Sequence, residues 1–452
     1  MNIVLATLEY PTEPYRAGGM CWAFGKIARG LKERGHDVRV AVPAQGDETM
    51  VDDAGVTVRR YGVTRALPRR LDLALAWRFP MAVVRYNQAA ALYRVLDELH
   101  AERPIDVVLA ALAPDSFFAA GCGRWPYVVR ISSHWPLMDI SNFVPQSNNI
   151  FFADWMEHMV CRRADARISP SRLHKEIFEA AGAGPTDCII TPMTETSSSR
   201  VNAASNVMPE RFVLFHGSLQ AKKGSLVLAD ALVDVMAEQP DLHVVFIGRD
   251  LTVPGMGSMA EWIRNKLAAH SGRVHMVGVI EQSLAFQYLE KAEWVILPSI
   301  MDNLPNAMLE AMWMARPVLV TRRSGTDDLI VDGENGLVVE PADAVSLRDG
   351  IRRGLSMSLA AREVLGRRAR ATVEQACDPA RAAEAFERSL QTVRLSHRPV
   401  SSLVAAMRRR WLQFRWLLQV VRYIHSGPSR RDRRCLEALA ARFLPGYAVR
   451  YQ

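Results

Sequence analysis

An apolar strand, a polar loop and the start of a helix follow one another in Trp294-Val-Ile-Leu-Pro-Ser-Ile-Met-Asp302-Asn-Leu-Pro-Asn306-Ala-Met-Leu-Glu310. The carboxylate of Asp302 follows the carboxyl end of the strand, and that of Glu310 lies in the first turns of the helix. Ligands of open α/β sheets bind in the crevice outside the carboxyl ends of the strands. The pattern therefore predicts that both carboxylates line one binding crevice.

Short β-branched runs alternate with longer helical patterns, such as Met20–Arg34, along most of the chain. Strands separated by helical segments indicate βαβ units and a parallel sheet. The predicted fold class is α/β, with two Rossmann-like domains that face each other across a cleft. The strands are predicted at residues 3–6, 37–42, 56–59, 106–110, 127–132, 166–169, 188–191, 212–216, 243–247, 274–277, 294–297, 318–321 and 337–339.

The polar, Ser-rich stretch Thr194–Asn206 has the composition of a linker. It separates the predicted domains. We place the first domain at residues 1–193, the linker at 194–208 and the second domain at 209–375. A helix follows at 376–397, and a basic amphipathic tail at 398–452.

The amino-acid composition limits the classes of protein to which the chain can belong. The 452 residues are 49% hydrophobic and 23% charged, as in a soluble globular protein. The six cysteines are scattered without a C-x-x-C pair, which argues against a disulfide framework or a zinc site. The N-terminus lacks a basic leader, and no apolar run reaches the roughly 20 residues of a membrane span. We expect a cytoplasmic protein.

The positive charge is concentrated at one end of the chain. Residues 398–452 hold 12 of the 56 Lys and Arg residues and 2 of the 48 Asp and Glu residues, a local net charge of +10. The rest of the chain holds 44 Lys and Arg residues and 46 Asp and Glu residues, a net charge of −2. Because a nucleic-acid-binding domain needs a basic face of its own, no nucleic-acid partner is expected for the body of the protein.

Two motifs together resemble a known family. One runs from Pro298 through Glu310 to Pro341, and the other is His216-Gly-Ser218-Leu-Gln-Ala-Lys222-Lys223-Gly224. They are similar to the signatures of retaining GT-B glycosyltransferases of the "glycosyl transferases group 1" type, often called family 4. The resemblance covers about residues 1–395 and is densest in 212–341. It implies that the first domain takes the acceptor, the second takes a nucleotide sugar, and the helix at 376–397 crosses back onto the first domain.

The resemblance also assigns roles in the second domain. Glu310 takes the place of the glutamate that accepts hydrogen bonds from the ribose, and Asp302 that of a carboxylate near the donor sugar. The loop Asn303-Leu304-Pro305-Asn306 lies between them. Read without the resemblance, Glu310 is a carboxylate stabilised by the helix dipole, and Asp302 organises a turn.

Lys223 matches the family lysine at the donor diphosphate, where a strand meets a helix and anions are favoured. Ser218 stands where the family has an arginine, and it offers one neutral hydrogen bond in place of a charged fork. Arg249 is a candidate to compensate for that loss. Alternatively, Lys222 and Lys223 form only a solvated helix start. The sequence has no D-x-D motif, and the resemblance implies a metal-independent enzyme, so neither a metal nor a cofactor is expected.

In the first domain, Gly18 and Gly19 resemble the family loop that approaches the donor phosphate. His134, after the strand at 127–132, resembles a histidine near the donor sugar and acceptor. We interpret it as catalytic together with Asp302 and Lys223. The alternative for His134 is a hydrogen-bonded structural residue at the end of a strand.

The tail carries an apolar stripe at helical spacing, flanked by arginines. The stripe consists of Val404, Met407, Trp411, Phe414, Leu418 and Val421. A basic amphipathic helix of this kind predicts contact with an anionic membrane surface, with Trp411, Phe414 and Trp416 at the interface. The alternative is a helix that packs on the first domain.

The sequence thus predicts a glycosyltransferase that moves a sugar from a nucleotide diphosphate sugar to a glycan or lipid-linked acceptor, in cell-surface polysaccharide or glycolipid synthesis. It would act in the cytoplasm, peripherally at the membrane. Two alternatives stay open. One is a nucleotide-sugar epimerase, and the other is a non-catalytic GT-B scaffold at the membrane, suggested by Ser218.

Overall fold

The computed structural model describes residues 1–13, 19–145, 147–193 and 208–444, without the side chain of Arg78. The predicted linker and the end of the tail therefore lie almost wholly outside the described residues. Tertiary contacts divide the chain into two compact units. The first unit comprises Met1–Pro136, Gln146–Pro192 and Pro379–Leu439, and the second comprises Leu137–Pro145, Met193–Asp378 and Ala440–Gln452.

The first unit is built on an eight-stranded sheet in the order β3-β4-β2-β1-β5-β6-β7-β8. All neighbours are parallel except β3 and β4. Every residue of β1, β5 and β6 is buried, as expected for strands covered on both faces. The strands are β1 Asn2–Ala6, β2 Asp37–Ala44, β3 Glu48–Val51, β4 Thr57–Gly62, β5 Val107–Ala111, β6 Tyr127–Arg130, β7 Ala166–Ser169 and β8 Asp187–Cys188.

The second unit is built on a six-stranded, fully parallel sheet in the order β13-β10-β9-β14-β15-β16. A two-stranded antiparallel hairpin, β11 and β12, lies apart from it. The strands are β9 Phe212–His216, β10 His243–Ile247, β11 Thr252–Val253, β12 Gly257–Ser258, β13 Val274–Gly278, β14 Trp294–Leu297, β15 Val318–Thr321 and β16 Leu337–Val339.

Helices connect most of the parallel strands in both units, since parallel strands need a crossover connection. They are α1 Gly19–Glu33, α2 Arg69–Arg78, α3 Pro80–Glu102, α4 Trp135–Ser141, α5 Asn148–Arg163, α6 Arg172–Ala180, α7 Ser225–Glu238, α8 Met259–Lys266, α9 Gln282–Lys291, α10 Asn306–Trp313, α11 Ala344–Ser356, α12 Leu359–Ala376, α13 Pro379–Ser396, α14 Ser402–Ser426 and α15 Arg430–Phe443.

The structure confirms the predicted α/β class with two Rossmann-like parallel sheets, and each predicted strand is present. Strand β3 was not predicted, because three of the four residues of Glu48–Val51 are exposed and the segment is held mainly by its antiparallel pairing with β4. The helix predicted at 376–397 is α13, which belongs to the first unit and packs closely on α1. A Cβ added to Gly30 of α1 would lie 3.0 Å from the Cβ of Ala383 of α13.

The tail is not a separate element. Helix α14 begins at the cap Ser401, whose Oγ accepts from the Val404 N–H at 3.4 Å, and belongs to the first unit through residue 439 of α15. Its inner face is part of the core, because Trp416 is fully buried and its ring lies 4.7 Å from that of Tyr86. The predicted insertion of Trp416 into a membrane is therefore wrong.

The six residues of the predicted stripe lie on the other face of α14, where each is 39% to 62% exposed. The alternative of a helix that packs on the first unit thus holds for one apolar face of α14, while the second apolar face meets solvent and its contact with a membrane stays a prediction. No helix among the described residues combines the length and apolarity needed to cross a bilayer.

Candidate active site

The predicted donor residues of the second unit gather at the carboxyl ends of β9, β10 and β14. His216 is the last residue of β9, and Lys223 ends the 3-10 turn Ala221–Lys223. Gly224 then opens α7 with a φ of 75°, where a Cβ would lie 1.9 Å from the carbonyl oxygen of Pro298. Only glycine permits this approach. The lysine turn is therefore fixed directly against the loop that follows β14.

Asp302 is held at the centre of this cluster. Its Oδ2 accepts from Lys223 Nζ in an ion pair and from Ser299 Oγ at 3.2 Å, while its Oδ1 accepts from the Asn303 N–H at 3.0 Å. Burial raises the pKa of Asp302, but the charges of Lys223 and Lys222 outweigh burial and leave the pKa below its ordinary value. The group is thus a carboxylate that fixes the Lys223 ammonium.

The loop from 303 to 306 turns sharply to bring α10 into place. Leu304 adopts a left-handed φ of 51°, and its N–H donates to the Gly325 carbonyl at 3.1 Å. Pro305 precedes the helix, and Asn306 is its first residue. Glu310, in the second turn of α10, accepts from Gln282 Nε2 at 3.1 Å, and its Oε2 lies 3.9 Å from His216 Nδ1. Its carboxylate is thereby directed toward the end of β9.

His216 is neutral at physiological pH. Burial, assisted by the charge of Lys223, lowers the pKa of His216 to about 4. A neutral imidazole beside Glu310 leaves that carboxylate its negative charge and its ability to accept hydrogen bonds from hydroxyl groups. His216 and Gln282 were assigned no role from the sequence. His216 is the first residue of a recognised motif, whereas Gln282 carries no motif signal.

Close backbone contacts place the loop that contains Ser218 beside Arg249. The Leu219 N–H donates to the Arg249 carbonyl at 2.8 Å, and a Cβ on Gly248 would lie 2.0 Å from the Gly217 carbonyl oxygen. Gln220 Nε2 donates to Ser218 Oγ, so the hydroxyl is already engaged. The Arg249 side chain is exposed and has no carboxylate partner within the described part of the chain. It is free to turn toward an anion at the Ser218 loop.

Lys222 adds a second cation to the cluster, one that can lose its proton near neutral pH. Its N–H donates to Asn142 Oδ1 at 2.9 Å, and its ammonium lies 3.9 Å from the sulfur of Met138. Burial, and then repulsion by Lys223, lowers the pKa of Lys222 to about 8. Asn142 and Met138 belong to the second unit by their contacts, although the sequence placed residues 137–145 in the first domain.

Of the residues predicted in the first domain, Gly19 and His134 lie in the first unit. Gly19 is the first residue of α1, and Gly18 falls outside the described residues. His134 follows β6 and is 1% exposed. Its Nε2 lies 3.5 Å from Asp154 Oδ1, which also lies 3.2 Å from His158 Nδ1. Burial lowers the pKa of His134 to about 4, so this imidazole is neutral as well.

The remaining predicted residues, all in the second unit, form one cluster of a carboxylate–ammonium pair, the second carboxylate of Glu310 and N–H groups at a helix start. Such a cluster can bind a diphosphate through Lys223 and hydroxyl groups through Glu310. The carboxylate of Asp302 is already engaged in the ion pair with Lys223, so the cluster does not depend on it as a nucleophile.

Comparison with known proteins agrees with this arrangement. Residues 210–357 match the family "Glycosyl transferases group 1", and residues 18–194 match "Glycosyl transferase 4-like domain". Alpha-D-kanosaminyltransferase of Streptomyces kanamyceticus is 24% identical over 193 residues, which are 42% of this chain and 47% of that protein. The chain therefore spans about half the length of this curated relative.

Two solved structures share the fold. Sucrose-phosphate synthase from Thermosynechococcus elongatus superimposes with a TM-score of 0.67 at 18% identity, over 87% of this chain and 99% of that one. Anabaena Alr3699/HepE in complex with UDP and glucose gives a TM-score of 0.60 at 17% identity, over 87% and 100%. Both family matches, and a fold shared over most of the chain, confirm the resemblance: the chain belongs to the GT-B glycosyltransferases of group 1.

Proposed function

We propose that the protein transfers a sugar from a nucleotide diphosphate sugar, bound by the second unit, to a glycan or lipid-linked acceptor, with retention and without a metal ion. The observation that carries this proposal is the joining of Lys223, Asp302 and Glu310 at the carboxyl edge of the second sheet. The solved structure of Alr3699/HepE with UDP and glucose supports a donor of this class.

Transfer leaves the negative charge of the broken bond on the departing nucleotide. Stabilising that charge is the largest single contribution to catalysis in many enzymes. In this protein the contribution would come from Lys223, from backbone N–H groups at the start of α7 and from Arg249. Glu310 would hold the ribose hydroxyls, and Asp302 would position Lys223 near the donor sugar.

Retention is proposed from the resemblance to the retaining group 1 enzymes. Asp302 is engaged in an ion pair and is poorly suited to act as a nucleophile. The leaving phosphate would instead guide the acceptor to the same face of the sugar. Catalysis would then rest on positioning and charge stabilisation. His134, which is neutral and buried in the first unit, would act as a positioning group on the acceptor side.

The outward face of α14 supports attachment to an anionic membrane from the cytoplasmic side. Phe414 and Leu418 are 56% and 51% exposed, and Arg408 and Arg410 are exposed on the same helix. Exposed apolar side chains among arginines suit a surface of acidic lipids. An acceptor carried by a lipid, as in the synthesis of surface polysaccharide or glycolipid, would be presented at that surface.

The direct test is binding and turnover with UDP-, GDP- and ADP-sugars. One nucleotide should raise the melting temperature by mass action. A matching sugar nucleotide should then transfer to an acceptor with an unchanged anomeric configuration, observed by NMR. Conversion of the donor alone would indicate an epimerase. Tight binding of the nucleoside diphosphate without transfer to any acceptor would favour a scaffold, for which the engaged Ser218 hydroxyl is the motivating observation.

A further inference from the structure

A cavity of about 600 Å³ lies wholly within the first unit, lined by α5, the end of α6, α14 and α15. This volume falls within the range of small-molecule sites, roughly 300–1,000 Å³. Four arginines are among the residues that line it, namely Arg162, Arg415, Arg422 and Arg431. The donor cluster belongs to the other unit, and among the residues that line this cavity the reaction proposed above uses His134 alone.

The positive charge of the cavity exceeds its negative charge. Asp432 lies 2.8 Å from Arg422 and compensates it, and Asp154 is paired with His158 and His134. Arg415 is half-buried, and neither it nor Arg431 has a carboxylate partner among the described residues. Two guanidinium groups are thus left without a counter-ion in or at the mouth of the cavity.

A neighbouring arginine increases this excess. Arg163 and Arg415 both lie against the ring of Trp411, with guanidinium carbons 5.5 and 5.2 Å from its centroid. Both Nη atoms of Arg163 are buried and make no hydrogen bond within the described residues. Burial, and then repulsion by Arg415, lowers the pKa of Arg163 to about 10. Unpaired like charges in a partly buried site are costly, and a bound anion would relieve that cost.

A metal ion is the other ligand to consider. The ligand atoms of His134, Asp154 and His158 all lie within 4.8 Å of one another, which suits a divalent cation. However, the four arginines of the same cavity repel a cation, and only two carboxylates oppose them. The electrostatic balance therefore favours an anion.

Part of the lining is an apolar wall. Phe151, Leu436 and Leu439 are 7%, 8% and 6% exposed, and Trp155 and Tyr423 complete this wall. A simple inorganic anion would leave such a wall uncovered. Arg415 also adjoins Phe414 of the exposed stripe on α14, so the charged part of the cavity and the apolar outer surface are carried by the same helix.

We propose that this cavity binds the phosphate head of an anionic lipid, with the guanidinium groups of Arg415 and Arg431 on the phosphate and the first methylenes of the chain against Phe151 and Leu436. Arginine forms bidentate hydrogen bonds with phosphate, and apolar burial adds to the affinity. This site is separate from donor binding, and it would select phosphate-bearing lipids by specific contacts rather than by net charge.

The probe is dodecyl phosphate, titrated calorimetrically below its micellar concentration into the full chain. Inorganic phosphate supplies the head alone, and dodecyl maltoside supplies the chain with a neutral head. We expect one molecule of dodecyl phosphate to bind per chain, at least tenfold more tightly than either control ligand. Arg415→Gln and Arg431→Gln should each weaken it about tenfold to a hundredfold, the range for hydrogen bonds to charged groups.

Arg433→Gln and Arg434→Gln are the matched controls. They remove the same charge from exposed positions of α15 that do not line the cavity. Both should bind dodecyl phosphate like the unaltered protein. Equal weakening by all four substitutions would overturn the proposal in favour of diffuse attraction, and equal affinity for inorganic phosphate would overturn the lipid part. Arg431 is exposed, so its substitution tests the site even if Arg415→Gln impairs folding.

Discussion

Lys223 and Asp302 form an ion pair in the second unit, although 79 positions of sequence separate them. Both side chains are largely buried, at 18% and 13% exposure. The ammonium proposed to meet the donor diphosphate is therefore already fixed before a donor binds. Removing one partner of a buried pair leaves the other charge uncompensated.

The first prediction concerns this pair and the absence of a metal requirement. Lys223→Ala should lower turnover at saturating donor by about 10²–10³, as the loss of one preorganised charge-stabilising group does in other enzymes. EDTA should leave turnover unchanged. The control is Lys266→Ala, which removes a surface lysine paired with Asp230 in the same unit. Loss of activity in EDTA with recovery in Mn²⁺ would contradict the assignment of Lys223.

The second prediction concerns Glu310. Glu310→Ala removes the acceptor of the ribose hydrogen bonds and should weaken donor binding by about 1.5–3 kcal/mol, the range for charged hydrogen bonds. Calorimetry with the nucleoside diphosphate measures this directly. Gln282→Ala, which removes only the neighbour of Glu310, should have a smaller effect. A folded Glu310→Ala protein with undiminished affinity would show that the carboxylate does not touch the nucleotide.

The third prediction tests compensation at Ser218. Arg249 lies beside the Ser218 loop with no carboxylate partner among the described residues, so Arg249→Ala should be nearly as damaging to turnover as Lys223→Ala. Ser218→Arg should then be neutral or harmful, since two guanidinium groups would compete for one phosphate. Strongly improved turnover in Ser218→Arg would instead reveal a weakened natural site.

The fourth prediction concerns the outward face of α14. The double substitution Phe414→Ser with Leu418→Ser should lower affinity for anionic vesicles at least tenfold, because each buried apolar side chain contributes about 1.5–3 kcal/mol. High salt should weaken binding further by screening the arginines. Leu395→Ser, at a 76% exposed position outside the stripe, is the control. Vesicle binding that the double substitution leaves intact would rule out this face.

Deleting residues 398–452 would not test membrane binding. The deletion removes Trp416 and Tyr423, whose rings lie 6.0 and 5.8 Å from that of Phe152 in the first unit. We expect loss of stability in the first unit rather than simple release from vesicles.

The fifth prediction is a stability change with pH. The pKa of His216 is lowered to about 4 by burial and by Lys223, whereas an unfolded histidine titrates near 6.5. Between these values the unfolded chain binds the proton and the folded chain does not, so stability falls as the pH decreases from about 6.5 to 4. Protonation of His216 changes the free energy of unfolding by up to about 1.4 kcal/mol per pH unit. Urea unfolding of His216→Gln should show a smaller slope in that window, and an unchanged slope would contradict the assignment.

Much of the fold follows from local sequence. Uninterrupted apolar runs such as Trp294–Leu297 are strands buried on both faces, and their alternation with helical patterns implies parallel sheets. The edge strand Glu48–Val51 escaped this reasoning because pairing with its neighbour, and not its own composition, makes it a strand.

The positions of Lys223, Asp302 and Glu310 at one edge of the second sheet could be predicted because strand ends and glycines fix the backbone there, whereas the contacts of His216 and Gln282 with Glu310 could not. The electrostatics of this cluster could not be predicted either, since the Lys223–Asp302 pair and the neutral state of His216 depend on burial that only the folded chain provides.

The tail at residues 398–452 shows which features follow from the sequence alone and which depend on the tertiary structure. The sequence by itself determined an amphipathic, basic helix with the apolar stripe from Val404 to Val421, because side-chain spacing alone sets that face. Only the tertiary structure decided which face is buried. Trp416 and Tyr423 lie on the packed side because aromatic rings of α3 and α5 receive them there, and such complementarity between distant segments has no local sequence signal.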